Sequence, residues 1–131
     1  MSAFFDTNIL VYAQQGGSKA DRAREVLAAG GLVSIQVLNE FTAVSRRKLG
    51  KGWDEIDDAI EDVLALVEPV LPITIEAHQA ARKLARDRGF NFYDALIIAA
   101  AIQAGCDTLF SEDLQSGQMI EGLKVINPFT S

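Results

Sequence analysis

Cysteine is almost absent. Cys106 stands alone, so the 131-residue chain can form no internal disulfide and no cysteine-based metal site. Histidine is equally scarce: with His78 as its one member, a Ser-His-Asp triad would rest on a residue in the middle of a predicted helix. No apolar run approaches the ~18 residues of a membrane span. No basic segment leads into a long apolar one either, and together these predict a soluble, unexported chain in the reducing cytoplasm. Positive charge is short as well, with 12 Lys and Arg against 18 Asp and Glu and a formal net charge of −6. That balance argues against broad, sequence-independent adhesion to nucleic acid, which comes from neutralising phosphates. It leaves room for a nucleic-acid substrate held by a local basic patch and bridging metal ions.

What is present is the composition of a packed domain, 49% hydrophobic and 23% charged. The length predicts one domain over residues 1–131, long enough to bury about two-thirds of its unfolded surface. The chain is organised around its N-terminal stretch. Ala3, Phe4 and Phe5 suit a buried parallel strand, which stops at Asp6, Thr7 and Asn8 and turns into the helical run 9–13. In open α/β sheets, reactive groups collect at the carboxyl ends of the strands, where Asp6 falls. Helix starts also favour Asp, Thr and Asn as caps, so Asp6 alone does not separate a site from a cap.

Apolar spacings of three and four predict a helix from Ser18 through Ala20, Ala23, Val26 and Leu27, then a short strand at Leu32 and Val33. Ser34 is placed to cap a helix over 35–49, with Val37, Leu38, Phe41 and Val44 on its apolar face and Glu40 beside them. Arg46, Arg47, Lys48 and Lys51 form a basic cluster at its end, which also complements a helix C-terminus. Asp54 is a candidate cap for the next helix, which Pro69 stops, and residues 70–73 read as an edge strand. Thr74 opens a helix to Gly89 that carries Arg82, Lys83, Arg86 and Arg88. Residues 91–102 are apolar all round, which predicts a buried helix with Asp94 as its one charge. Strands are predicted at 108–110, running into Ser111-Glu112-Asp113, and at 124–126. Strands alternating with helices predict a three-layer α/β domain with a mainly parallel central sheet flanked by helices.

Such a sheet is able to bring Asp6, Glu40, Asp94 and Asp113 to one edge. Four crowded carboxylates repel and raise one another's pKa values, a penalty that a hard divalent cation removes. Mg²⁺ or Mn²⁺ prefers oxygen ligands, keeps several waters and binds through carboxylates plus substrate phosphates. Asn8 and Ser111 supply hydrogen bonds without adding charge. The chemistry indicated is metal-assisted phosphodiester hydrolysis.

The ordered set Phe5-Asp6-Thr7-Asn8, Glu40, the run from Tyr93-Asp94 to Ala101, and Ser111-Glu112-Asp113 resembles the PIN-domain ribonucleases, in particular VapC-type toxins of toxin–antitoxin pairs. The resemblance covers essentially the whole chain. It implies an Mg²⁺/Mn²⁺ site made by Asp6, Glu40, Asp94 and Asp113, with Asn8 and Ser111 in support. It also implies an RNA substrate, a homodimer and a cognate antitoxin that silences the site. Many members carry a further acid and an aromatic just after Asp113, where this chain has Leu114-Gln115. That departure leaves open a second ion and a part for Glu112 in holding it. On this reading Arg46, Arg47, Lys48, Arg82 and Arg86 become walls that grip the RNA backbone.

Three other functions compete. An aspartyl phosphotransferase of the haloacid-dehalogenase type needs an acid two residues after Asp6, where Asn8 stands. A housekeeping RNA-processing nuclease would use the same acids. A non-catalytic α/β interaction module would use them only structurally.

Overall fold

In the computed structural model, which describes residues 2–130, the N-terminal apolar run is β1 (Ala3–Phe5), a strand buried along its length. Behind it come α1 (Thr7–Ala13), α2 (Ser18–Ala28), β2 (Val33–Ser34), α3 (Ile35–Arg47) and α4 (Trp53–Leu66). The second half runs β3 (Val70–Leu71), α5 (Ile75–Arg88), α6 (Phe92–Gln103), β4 (Thr108–Phe110), β5 (Met119–Ile120) and β6 (Leu123–Ile126).

β1, β4 and β6 pair in parallel and β5 closes the edge antiparallel to β6, giving the order β1-β4-β6-β5. The parallel β2–β3 pair attaches on the far side of β1 through a bridge between Phe4 and Leu32. The Leu32 amide donates to the Ala3 carbonyl at 2.9 Å, and the Phe5 amide donates to the Leu32 carbonyl at 3.0 Å. The mainly parallel α/β fold expected from the sequence is therefore what forms.

Register is what matters for function. Phe5 lies opposite Phe110, and their rings stack at 5.8 Å with planes 13° apart. Strands locked at that pair must release their next residues, Asp6 and Ser111, side by side at the carboxyl edge. A close approach from below tightens the lock: a Cβ on Gly31 would fall 2.6 Å from the Phe5 ring and 2.8 Å from the Ala3 carbonyl oxygen. α6 is buried from Ala95 to Ala101, as its apolar sequence predicts.

The element ends depart from expectation where local hydrogen bonding decides them. α3 stops at Arg47 rather than 49, and α4 begins at Trp53 because the Glu55 carboxylate accepts from the Gly52 amide at 3.1 Å, two residues ahead of the expected Asp54 cap. Pro72 has no N–H to pair, and β3 is two residues long. β6 starts at Leu123, one residue early, and β5 was not foreseen. Their hairpin turns on Glu121 (φ 49°) and Gly122 (φ 88°), the doubly positive backbone of a tight turn that usually announces itself as Asn-Gly.

Candidate active site

Asp6 is 3% exposed and caps α1. One carboxylate oxygen accepts from the Thr7 amide at 2.7 Å, and the other accepts from the Ser111 hydroxyl at 2.7 Å, the contact that the Phe5–Phe110 register sets up. Burial nevertheless pushes its pKa up to about 6. The two hydrogen bonds pull it down by less, and the charges of Asp94 and Asp113 add to the rise.

Asp94 sits half-buried in the first turn of α6, which Asn91 caps by accepting from the Tyr93 amide at 2.9 Å. Its pKa is raised by burial first, then by the charges of Glu40 and Asp113. Glu40, one turn beyond Gln36 on α3, accepts from the Thr7 hydroxyl at 2.8 Å and from the Gln36 side-chain amide at 3.1 Å. Asp113 is exposed at the rim. The four acids come from four separate segments, and Asp94 links them: it feels the charges of Glu40 and Asp113, and Asp6 feels those of Asp94 and Asp113. Among the described residues, no three Asp, Glu, His or Cys side chains stand close enough to hold an ion by themselves.

A cleft of about 340 Å³ opens at Glu40 and Asp113, with Thr7, Asn8, Lys48 and Glu112 also among its lining, while Asp6 and Asp94 stand outside that lining. Asn8 accepts from the Glu112 amide at 3.3 Å, which leaves its side-chain N–H₂ buried without a partner. Ser111 also accepts from the Leu114 amide at 3.3 Å and so fixes the loop that carries Asp113.

A family model for the PIN domain matches residues 3–117. This chain belongs to the PIN-domain family. A comparison with curated proteins finds no match. Among solved structures, this PIN domain is similar to a toxin–antitoxin complex from Klebsiella pneumoniae, with TM-score 0.74 and 21% identity over 98% of each chain. It is also similar to VapBC2 from Rickettsia felis bound to promoter DNA (TM-score 0.70, 22% identity, 95% of this chain and 97% of that one). A third likeness is to Mycobacterium tuberculosis VapC20, described as a toxin that cleaves the sarcin-ricin loop (TM-score 0.68, 23% identity, 86% and 90%). At these identities the likeness is one of fold.

The remaining residues singled out in the sequence of this PIN domain divide. Glu112 has both carboxylate oxygens engaged, one accepting from the Tyr12 hydroxyl at 2.6 Å and the other paired with Lys19 at 2.5 Å. Burial pushes its pKa up, but Lys19 and Tyr12 outweigh that and hold it below the ordinary value. Lys48 lines the cleft, whereas Arg46 and Arg47 line a neighbouring groove. Arg82 and Arg86 are exposed on α5, where Arg86 pairs with Asp87 at 2.9 Å, and neither lines the cleft. Sequence reasoning missed Thr7, Gln36, Tyr12 and Lys19 as supports. Only Gln36, four residues before Glu40 on one helix, carried a readable signal.

The donor set fits a hard divalent cation. It is all carboxylate oxygen with no histidine or thiolate; burial first, and neighbouring negative charge second, hold the Asp6 and Asp94 carboxyls above their usual range, and a cation offsets both costs. An open arrangement also suits Mg²⁺, which keeps its waters and takes only one or two protein carboxylates.

Proposed function

We propose that this PIN domain is an Mg²⁺- or Mn²⁺-dependent endoribonuclease, the toxin of a type II toxin–antitoxin pair. On this reading it works as a homodimer silenced by a cognate antitoxin. The observation that carries the reading is that Asp94 feels the charges of Glu40 and Asp113, and Asp6 those of Asp94 and Asp113, with Glu40 and Asp113 lining one cleft. The fold shared with a Klebsiella toxin–antitoxin complex and with a Mycobacterium toxin described as cleaving the sarcin-ricin loop supports it.

The bound ion would supply hydroxide from coordinated water and stabilise charge on the phosphodiester. The chain does the rest. Thr7 and Ser111 aim the Asp6 carboxylate, while Thr7 and Gln36 aim Glu40, so these two acids need no reorganisation to receive a cation. The free N–H₂ of Asn8 is a donor for a phosphate oxygen or a water. Lys48 offers the cleft a positive charge against the RNA backbone. Glu112, satisfied by Lys19 and Tyr12, anchors the loop that carries Asp113 and is not a ligand.

Thermal unfolding with and without metal tests the proposal. Mg²⁺ or Mn²⁺ at 100 times its Kd should stabilise the parent by about 2.7 kcal/mol. Asp94→Asn should lose both that gain and cleavage of single-stranded RNA. A parent protein that neither gains stability with metal nor cuts RNA overturns the proposal and favours the non-catalytic module.

A further inference from the structure

We infer that the groove between α3 and the start of α4 is a base-stacking subsite for the single-stranded RNA substrate, with Trp53 as its platform. The inference rests on the ribonuclease reading and names where the strand goes on leaving the cleft. The groove encloses about 530 Å³ and is lined by Asn39, Thr42, Ala43, Arg46, Arg47 and Trp53. Its lining holds two guanidinium groups and no carboxylate, in a chain whose net charge is −6. It suits a polyanion.

Trp53 opens α4 with 57% of its surface exposed, a large apolar cost for a ring that packs no core. Arg46 lies over the ring at 4.8 Å and is itself tethered by donating to the Lys51 carbonyl at 2.9 Å. The ring is thereby held in place with surface left free. An oriented aromatic face beside fixed cations is how proteins bind unpaired bases: the ring stacks on the base and the cations take the phosphates. Bases in a duplex are stacked on each other and are not available to it.

Continuity with the cleft comes from α3 itself. Glu40, Val44 and Lys48, four residues apart, line the cleft, while Asn39, Thr42, Ala43 and Arg46 line the groove. One residue step turns a helix by about 100°, so these are adjacent stripes on a shared wall. A strand passing Lys48 on its way out of the cleft enters the groove.

Trp53 is the one tryptophan in the chain, so its fluorescence reads this groove alone. The test uses full-length Asp6→Asn protein, which leaves RNA intact, and three probes: a mixed-sequence single-stranded oligoribonucleotide, the same RNA as a duplex, and inorganic polyphosphate. The single strand should quench Trp53 emission and the other two should not. Trp53→Ala should weaken single-strand binding, read by anisotropy of a labelled oligonucleotide, about ten-fold, and Trp53→Phe should restore most of it. Arg46→Gln should lower the slope of log affinity against log salt by about 0.7, one phosphate contact.

RNA binding without quenching, or equal quenching by duplex or polyphosphate, overturns the subsite. So does emission that changes with protein concentration alone, which would make a second copy of the chain the occupant. If the parent cuts RNA and Trp53→Ala binds it unchanged, the subsite falls and the nuclease stands. Quenching and a ten-fold loss in a protein that never cuts RNA have the opposite meaning.

Discussion

Glu112 and Asp113 are neighbours on one loop, yet they belong to different electrostatic worlds. Glu112 turns toward α1 and α2, where Tyr12 and Lys19 meet both of its oxygens and keep it ionised. The aromatic ring of Phe129 packs edge-on against Tyr12 at 5.0 Å, and Lys19 lies 5.5 Å over it. Asp113 turns toward Asp6 and Asp94 and raises their pKa values further. The difference separates two uses of a carboxylate. One carries its own cation and builds structure, whereas the other shares negative charge with its neighbours, and on the proposed reading a cation from outside would relieve it.

The strongest way to break that contrast is at its most buried member. Asp6→Asn should abolish RNA cleavage while leaving the metal-free fold more stable than the parent at pH 8, because the amide keeps the cap geometry without the buried charge. The sign follows from the raised pKa. An acid that titrates at about 6 when folded and at 3.8 when unfolded binds more protons in the native state between those values. Metal-free stability therefore falls as pH rises through that window, by about 3 kcal/mol, and stays lower above it. Melting curves of parent and variant without metal should converge near pH 4 and separate by pH 7. A variant less stable than the parent at every pH would mean that Asp6 is satisfied without a cation.

A smaller effect belongs to the paired acid. Glu112→Gln removes the charge that Lys19 neutralises but keeps an acceptor for Tyr12, at a site where Lys19 is half exposed. It should lower the melting temperature by a few degrees at most and leave cleavage within a few-fold of the parent. The lowered pKa of Glu112 sets the sign here as well: its contribution is present above the unfolded pKa and is lost as the solution is acidified. Loss of cleavage or of the metal-induced stabilisation in Glu112→Gln would move this residue to the other side of the comparison.

The sequence made the backbone of this arrangement legible for a physical reason. Ala3 to Phe5 and Thr108 to Phe110 are short apolar runs that end in polar residues, and a parallel sheet places such ends together. Asp94 was marked out by being the one charge on an otherwise apolar helix. The supports were another matter. Tyr12 and Lys19 lie 100 and 93 residues from Glu112 along the chain, and no local pattern links them. The same holds for Thr7, which reads as part of a cap but reaches across 33 residues to Glu40. The α3 basic cluster read as one patch, yet α3 ends at Arg47 and its helical rotation sends Arg46 and Arg47 to the groove and Lys48 to the cleft.

Gly31 touches no reacting group, yet it lies under the strand whose end carries Asp6. A methyl at that position has nowhere to go but into the Phe5 ring or the Ala3 carbonyl, so Gly31→Ala acts as a wedge that displaces β1 from its partner. If the toxin proposed above is what this chain is, a screen for cells that survive its expression should recover position 31 alongside the acids, with the variant melting earlier than the parent. Harmlessness would then have a mechanical route as well as a chemical one, through a residue with no side chain to lose.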